Sequence, residues 1–200
     1  MRENLDRRLW NRDTLFCGVD EAGRGALAGP VVAAAVIMPP ALEIDGVDDS
    51  KKLSPRRREQ LERSIKERAL GWAVAQASHK VIDRCNVLAA AYRAMLRAIG
   101  KLDPQPALVL VDGWAIPDSS IPCEGIINGD CRSHSIACAS ILAKVYRDRL
   151  MVRFDRAFPG YYLARHKGYC TPQHVRALGL LGACPIHRRT FGPVRNVLQA

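Results

Sequence analysis

Apolar residues in this 200-residue chain recur with two different rhythms. Short runs of alternating or unbroken apolar residues mark strands. Leu15 to Asp20 rises into a glycine-rich bend, Pro30 to Met38 follows it, and the two suit a hairpin. Gly71 to Ser78 alternates Trp72 and Val74 with small residues, and Ala107 to Val111 is fully apolar, as in a buried strand ending at Asp112-Gly113. Glu124 to Asn128 reads as one more short strand. The second rhythm is helical. Beyond the polar loop of Gly46 to Ser54, Ser54-Pro55 offers an N-cap with proline at the first helical position, opening a charged helix to about Ala69. Leu88, Ala91, Tyr92, Met95, Leu96 and Ile99 lie three and four apart and make an amphipathic helix that Gly100 ends. A long helix runs from Ser135 to about Ala157, where Pro159-Gly160 stops it, and Thr171-Pro172 opens another. The tail after Gly182 reads as irregular. Strands come early and helices late, which predicts an α/β protein with one central sheet and a mostly helical C-terminal third.

Composition adds little to that picture until charge is divided along the chain. Residues 1–130 hold 18 Lys and Arg against 18 Asp and Glu, whereas residues 131–200 hold 12 basic residues against only Asp148 and Asp155. The whole excess of +10 therefore sits in the C-terminal third, which points to a polyanionic partner such as nucleic acid. The seven cysteines are odd in number and form no C-x-x-C pair, so neither a zinc cage nor a disulfide framework is indicated. The first 13 residues carry no apolar leader, and the longest apolar run, Val31 to Met38, is too short to span a bilayer. A cytoplasmic protein without membrane contact, with a monomer as the expected state, follows from these features.

Carboxylates occupy the positions where such a fold builds sites. Asp20 and Glu21 close one apolar strand, Asp112 closes another, and Asp130 directly precedes a helix. Converging acids repel one another, and a hard divalent cation with oxygen ligands, Mg²⁺ or Mn²⁺, is their natural neutraliser. A difficulty comes with the spacing, because adjacent strand residues face opposite ways and Asp20 and Glu21 cannot chelate side by side from a regular strand. Either the chain bends at Ala22-Gly23, or Glu21 contributes through its backbone carbonyl. Gly23-Arg24-Gly25 combines backbone freedom with a forked donor suited to phosphate. Lys51 and Lys52 lie in a loop and could hold a phosphate or equally be a solvated charge pair, while the local charge excess tilts Arg188 and Arg189 toward the backbone of a nucleic acid. His166, His174 and His187 share no helical i, i+4 spacing and read as packing or phosphate-adjacent residues rather than metal ligands.

In the order in which its blocks occur, the chain resembles the type 2 ribonucleases H, ribonuclease HII. The resemblance rests on Gly18-Val19-Asp20-Glu21-Ala22-Gly23-Arg24-Gly25 with Leu27-Ala28-Gly29-Pro30, on Asp49-Ser50-Lys51-Lys52-Leu53-Ser54, and on Val111-Asp112-Gly113 and Gly129-Asp130. It continues through Ala139-Ser140-Ile141-Leu142-Ala143-Lys144-Val145, Arg147-Asp148, His166-Lys167-Gly168-Tyr169 and His187-Arg188-Arg189. Ala26, Trp114, Cys138 and Cys170 depart from the usual pattern without removing an acid. The resemblance implies a ribonuclease H-like fold over residues 1–200, a central mixed β-sheet flanked by helices, with a basic helical subregion at roughly 158–200. It implies an endonuclease that cleaves RNA in RNA–DNA hybrids and at single ribonucleotides embedded in duplex DNA, by two-metal hydrolysis with Mn²⁺ or Mg²⁺, leaving 3′-hydroxyl and 5′-phosphate ends. It further implies that Asp20, Glu21, Asp112 and Asp130 hold the metal. Gly23, Arg24 and Gly25 would then read the ribose 2′-hydroxyl, and Tyr169 would lie against the sugar at the RNA-to-DNA junction. A different nuclease of the same fold would share the acids but lack the Gly-Arg-Gly and tyrosine pair. A non-catalytic nucleic-acid-binding protein would need only the basic third. Contact with a replication clamp is not legible in the chain.

Overall fold

The computed structural model describes residues 5–47, 50 and 53–199. In chain order the elements are α1 (Leu5–Trp10), β1 (Phe16–Ala22), β2 (Val31–Ile37), α2 (Pro55–Arg68), β3 (Gly71–Ala77), α3 (His79–Cys85), α4 (Val87–Ile99) and β4 (Leu108–Asp112). There follow β5 (Cys123–Ile126), a 3₁₀ turn (Gly129–Cys131), α5 (His134–Ala157), α6 (Leu163–His166), α7 (Pro172–Leu181) and α8 (Gly192–Gln199). The five strands form one mixed sheet in the order β3-β2-β1-β4-β5. The first three are antiparallel neighbours, and β1-β4 and β4-β5 are parallel. The expected hairpin is the β1–β2 pair.

Both faces of the sheet are covered, and the unbroken apolar run of β2 is the reason it occupies an interior position. Val31, Ala33, Ala35 and Ile37 pack with Cys17, Val19, Val109 and Val111 against α4. Val32, Ala34 and Val36 pack on the other face against α2 and α5. The close approach of α5 depends on Gly18, where a Cβ would stand 2.2 Å from the backbone of Ser135 and Ile136. The start of α5 is fixed by Ser133, whose Oγ accepts from Ile136 N, and by the buried Asp6 of α1. Asp6 accepts from Ser133 Oγ at 2.6 Å, Ser135 N at 2.8 Å and Ser135 Oγ at 2.6 Å. A carboxylate so placed also complements the positive end of the helix.

The fold differs from the sequence reading in several places, beginning with helix α1, which carries no predicted period. Strand β1 runs two residues past Asp20, so Glu21 is still in the ladder, opposite Ala33. The short helix α3, capped by Ser78, fills the span between β3 and α4 that carries no strong period. Helix α6, only four residues long, likewise leaves no periodic trace. The tail after Gly182 is not irregular throughout: α8 buries Val194 against Leu27 and Leu178. Gly192-Pro193 opens this helix instead of breaking the chain, since proline is tolerated in a first turn.

Candidate active site

The acids are gathered by strand register. Val19 pairs with Val111 in the parallel β1–β4 ladder, so Asp20 and Asp112 are successive residues on adjoining strands. Phe16 and Leu110 pack with Ile136 of α5, and alternation puts Asp20 and Asp112 on that same side. Glu21 takes the parity of Cys17 and Val19, which face α4. Asp130 lies in the 3₁₀ turn between β5 and α5 and is buried. The Asp112 carboxylate ties that turn to β4 by accepting from Gly129 N at 2.7 Å.

Asp20 and Glu21 are under electrostatic load. Burial raises the Asp20 carboxyl well above the usual range, Glu21 and Asp112 add to it, and a hydrogen bond with Ser140 of α5 opposes it. Ser140 Oγ in turn lies 2.9 Å from Ser50 Oγ, so a buried hydroxyl pair stands behind Asp20. Burial raises Glu21 too; Arg24 opposes this through its charge, donating to Oε1 at 3.0 Å, and Asp112 adds to it. Among the described residues, no three Asp, Glu, His or Cys side chains enclose a point that would hold a cation. The difficulty read from the strand is therefore real: Glu21 leans on Arg24 while Asp20 faces α5. The donors are all oxygen, and a hard divalent cation would offset both the burial that chiefly raises the two carboxyls and the repulsion that adds to it. In chemistry the set fits Mg²⁺ or Mn²⁺.

Beyond the acids the chain turns at Gly23, whose φ of +92° favours glycine and whose missing Cβ leaves room for the Arg147 side chain. The loop from Gly23 to Pro30 is then held by two buried arginines that bind carbonyls. Arg188 donates to Gly23 O at 2.7 Å, Arg24 O at 2.8 Å and Gly29 O at 3.0 Å. Arg147 donates to Pro30 O at 3.0 Å, Ala28 O at 3.2 Å and Lys167 O at 2.9 Å. Burial, then repulsion from Arg147, lowers the Arg188 guanidinium to about 9, so it stays charged at neutral pH. Tyr169 is brought to this loop by a bridge to Ala26, with the Arg147 guanidinium 5.4 Å from its ring centre.

A histidine cluster supports Tyr169 from behind. His174 Nδ1 lies 3.0 Å from Tyr169 O, and His174 Nε2 lies 3.0 Å from His187 Nε2. A carbonyl only accepts, so Nδ1 of His174 carries the proton and its Nε2 accepts from His187 Nε2–H. His187 Nδ1 is then free to accept from Cys184 N at 3.0 Å. His166 stacks on His174 with ring centres 4.4 Å apart. All three rings are neutral in this pattern, and burial lowers the pKa of each. The packing half of the histidine reading holds.

One expected substrate-contacting residue takes another place. Arg188 is fully buried and cannot touch a DNA backbone; its guanidinium is consumed by loop carbonyls. Arg189 is exposed, with its backbone N held by Asp83 Oδ2 at 3.0 Å. Lys51 and Lys52 lie outside the described residues. Residue patterns missed Ser140 as a partner of Asp20 and Arg147 as a clamp. A charged residue spaced seven from Ser140 on a helix otherwise buried in small residues was the available signal for Arg147.

Comparison with known proteins decides the family. The ribonuclease HII model matches residues 17–194. The chain belongs to the ribonuclease HII family. It is 50% identical over 184 residues to ribonuclease HII of Idiomarina loihiensis, covering 92% of this chain and 98% of that relative. Its fold is similar to ribonuclease H2 from Pyrococcus horikoshii OT3, with a TM-score of 0.73, 25% identity and coverage of 92% and 97% of the two chains. It is also similar to the ribonuclease HII chain of a complex with PCNA from Archaeoglobus fulgidus, at TM-score 0.74, 25% identity and coverage of 89% and 95%. The fold is thus ribonuclease H-like, and membership of the family makes the chain a metal-dependent ribonuclease H. No described helix is long and apolar enough to cross a membrane.

Proposed function

We propose that this enzyme cleaves the RNA strand of RNA–DNA hybrids and incises duplex DNA at single embedded ribonucleotides, leaving 3′-hydroxyl and 5′-phosphate ends. The observation that carries this reading is a juxtaposition: Asp20 and Asp112 on adjoining strands, with Ala26, next to the Gly23–Gly25 turn, bridged to Tyr169. Asp20, Glu21, Asp112 and Asp130 are the residues that would hold two Mn²⁺ or Mg²⁺ ions. When bound, such ions supply an activated water and a counter-charge for the leaving oxygen of a phosphodiester. The protein's own groups do the rest. Ser140 orients Asp20 through a hydrogen bond that favours the ionised carboxylate. Arg24 opposes the burial that raises the Glu21 carboxyl, and its exposed guanidinium can turn to a phosphate.

Recognition of ribose falls to the loop. Arg188 and Arg147 turn the carbonyls of Gly23, Arg24, Ala28, Gly29 and Pro30 inward, which fixes the backbone that meets the sugar. Tyr169, half-buried and supported by His174, gives a flat apolar face for a deoxyribose, while the 2′-hydroxyl distinguishes the ribonucleotide beside it. We assign residues 1–200 to a single catalytic unit with a basic helical subregion at roughly 158–200, acting as a monomer in the cytoplasm in the removal of ribonucleotides from DNA.

The test is incision of a DNA duplex carrying one ribonucleotide, with Mn²⁺ or Mg²⁺, beside an RNA–DNA hybrid and an all-DNA duplex. Cutting at the ribonucleotide and in the hybrid alone is expected. Asp20→Asn should abolish incision while leaving duplex binding, read by fluorescence anisotropy, largely intact. Equal cutting of the all-DNA duplex, or a near-normal rate in Asp20→Asn, overturns the reading.

A further inference from the structure

Beside Lys144 and Lys167, an open groove of about 620 Å³ runs between α2, α5 and α6. Seven basic side chains line it against two carboxylates, Glu59 and Asp148. Its inner end is internally neutralised, since Asp148 takes Lys144 at 2.7 Å and Arg58 at 3.5 Å. Its outer end is not. Arg153, Arg156 and Arg165 are exposed, and among the described residues no carboxylate forms an ion pair with them.

Three features set this groove apart from a generally basic surface. The cations converge from separate elements on one concavity, which focuses their field where a flat surface would disperse it. Arg149, itself tied to Glu62 at 2.6 Å, is followed along one face of α5 by Arg153 and Arg156 at four- and three-residue spacing. At 1.5 Å per residue they cover about 10 Å, roughly the rise of three nucleotides of one strand. The groove is also continuous with the site: Lys144 Nζ lies 5.9 Å from the Tyr169 ring centre, and Lys167 is two residues before it. An elongated polyanion that leaves Tyr169 meets this row next.

We propose that the groove is a phosphate track holding the sugar-phosphate backbone of the duplex beyond the nucleotide at Tyr169, with Arg153, Arg156 and Arg165 as its outer contacts. It rests on the reading of Tyr169 as the place of the substrate junction. The track gives affinity without sequence preference and takes no part in the chemistry. It makes the length of duplex on one side of the ribonucleotide matter for binding and leaves the other side indifferent.

The double variant Arg153→Glu/Arg156→Glu tests this, because both side chains are exposed and their replacement leaves the core untouched. Dissociation constants for a duplex with one ribonucleotide are measured over a range of salt, together with single-turnover incision at saturating protein. The plot of log affinity against log salt should become shallower by about two, near 0.9 per lost phosphate contact, with single-turnover incision unchanged. The wild type should gain affinity as the duplex is lengthened on one side only, and the variant should lose that gain. A variant with the same charge change on the far face, Arg93→Glu/Arg97→Glu in α4, should keep both the slope and the length dependence. An unchanged slope in the groove variant, an equal change in the α4 variant, or loss of single-turnover rate overturns the track. Those outcomes leave the proposed activity standing so long as the wild type still cuts at the ribonucleotide; failure of the wild type to do so sinks the activity instead.

Discussion

Replacing Arg188 with methionine separates two effects that are usually confounded, loss of stability and loss of site geometry. The side chain keeps its length and apolar stem but loses every donor. Three carbonyls, at 2.7 to 3.0 Å from the guanidinium, would lose that donor. Gly23 O keeps Ala26 N at 3.4 Å but loses a charge-assisted bond, about 1.5–3 kcal/mol, while Arg24 O and Gly29 O lose their donor at about 1–3 kcal/mol each, so the gross loss is roughly 6 kcal/mol. Against this stands the penalty of burying an arginine whose neighbours are carbonyls and another cation. The fall of its pKa from 12.5 to about 9 corresponds to some 4–5 kcal/mol. The two nearly cancel, and Arg188→Met should lower the stability read by urea unfolding by only about 1–2 kcal/mol.

Activity does not share in that cancellation. Once the carbonyls of Gly23 and Arg24 are released, the loop relaxes, and misplacement by about 1 Å near the reacting groups is worth on the order of 100-fold in rate. Single-turnover incision at one ribonucleotide should therefore fall about 100-fold in a protein that remains folded at assay temperature. Arg188→Lys keeps the charge but offers a point donor instead of a fork, and should recover little of the lost rate. If Arg188→Met cuts within twofold of the wild type, the clamp does not position the loop and this account of the buried arginines is wrong.

Two further predictions follow from other parts of the fold. Gly18→Ala drives a methyl into the backbone of Ser135 and Ile136 and should destabilise the protein by about 2–3 kcal/mol, seen as a lower urea midpoint; a change under about 0.5 kcal/mol would mean that α5 moves away without penalty. His187 is lowered to about 4 by burial and by His174, below the 6.5 of an unfolded chain, so the unfolded state takes up the proton first as pH falls. Its contribution is present above about pH 6.5 and is lost on the way down to about pH 4, and it amounts to about 2 kcal/mol once relaxation around the new charge is allowed for. His187→Gln, which keeps a donor toward His174, should lack that part of the acid sensitivity; parallel loss in both proteins would refute the assignment.

What could be read in the chain was whatever depends on neighbours in sequence. The unbroken apolar run of β2, the three-four rhythm of α4 and the cap at Ser54 each act over one or two turns, and each appears in the fold as expected. Asp20 and Asp112 stood out as candidates for a related reason, because a carboxylate at or near the end of an apolar strand is a local oddity wherever the strand goes. Helix α3 escaped because it is seven residues long and meets α4 at Asn86, whose φ of +69° and side chain serve the next helix. The Asp20–Ser140 contact escaped because it depends on how closely α5 lies on β1, and that is set by the missing side chain of Gly18.

Charge shows most clearly where sequence reasoning reaches its limit. The excess of +10 in residues 131–200 is one number, and it points correctly to a polyanion. The fold divides it into two populations with opposite tasks. Arg147 and Arg188 count toward the excess yet are buried, and they act as multivalent donors to carbonyls more than a hundred residues away in sequence. Arg153, Arg156 and Arg165 carry the same charge and remain exposed, able to release counterions from a phosphate chain. Arg188 and Arg189 are adjacent and chemically identical, and only the packing of the last third on the Gly23–Pro30 loop sends one inward and the other out. A salt titration would find the outer population and pass over the inner one, whereas ribonucleotide discrimination would respond to the inner one at any salt. Measuring both on the same variants is what separates binding the duplex from recognising the nucleotide within it.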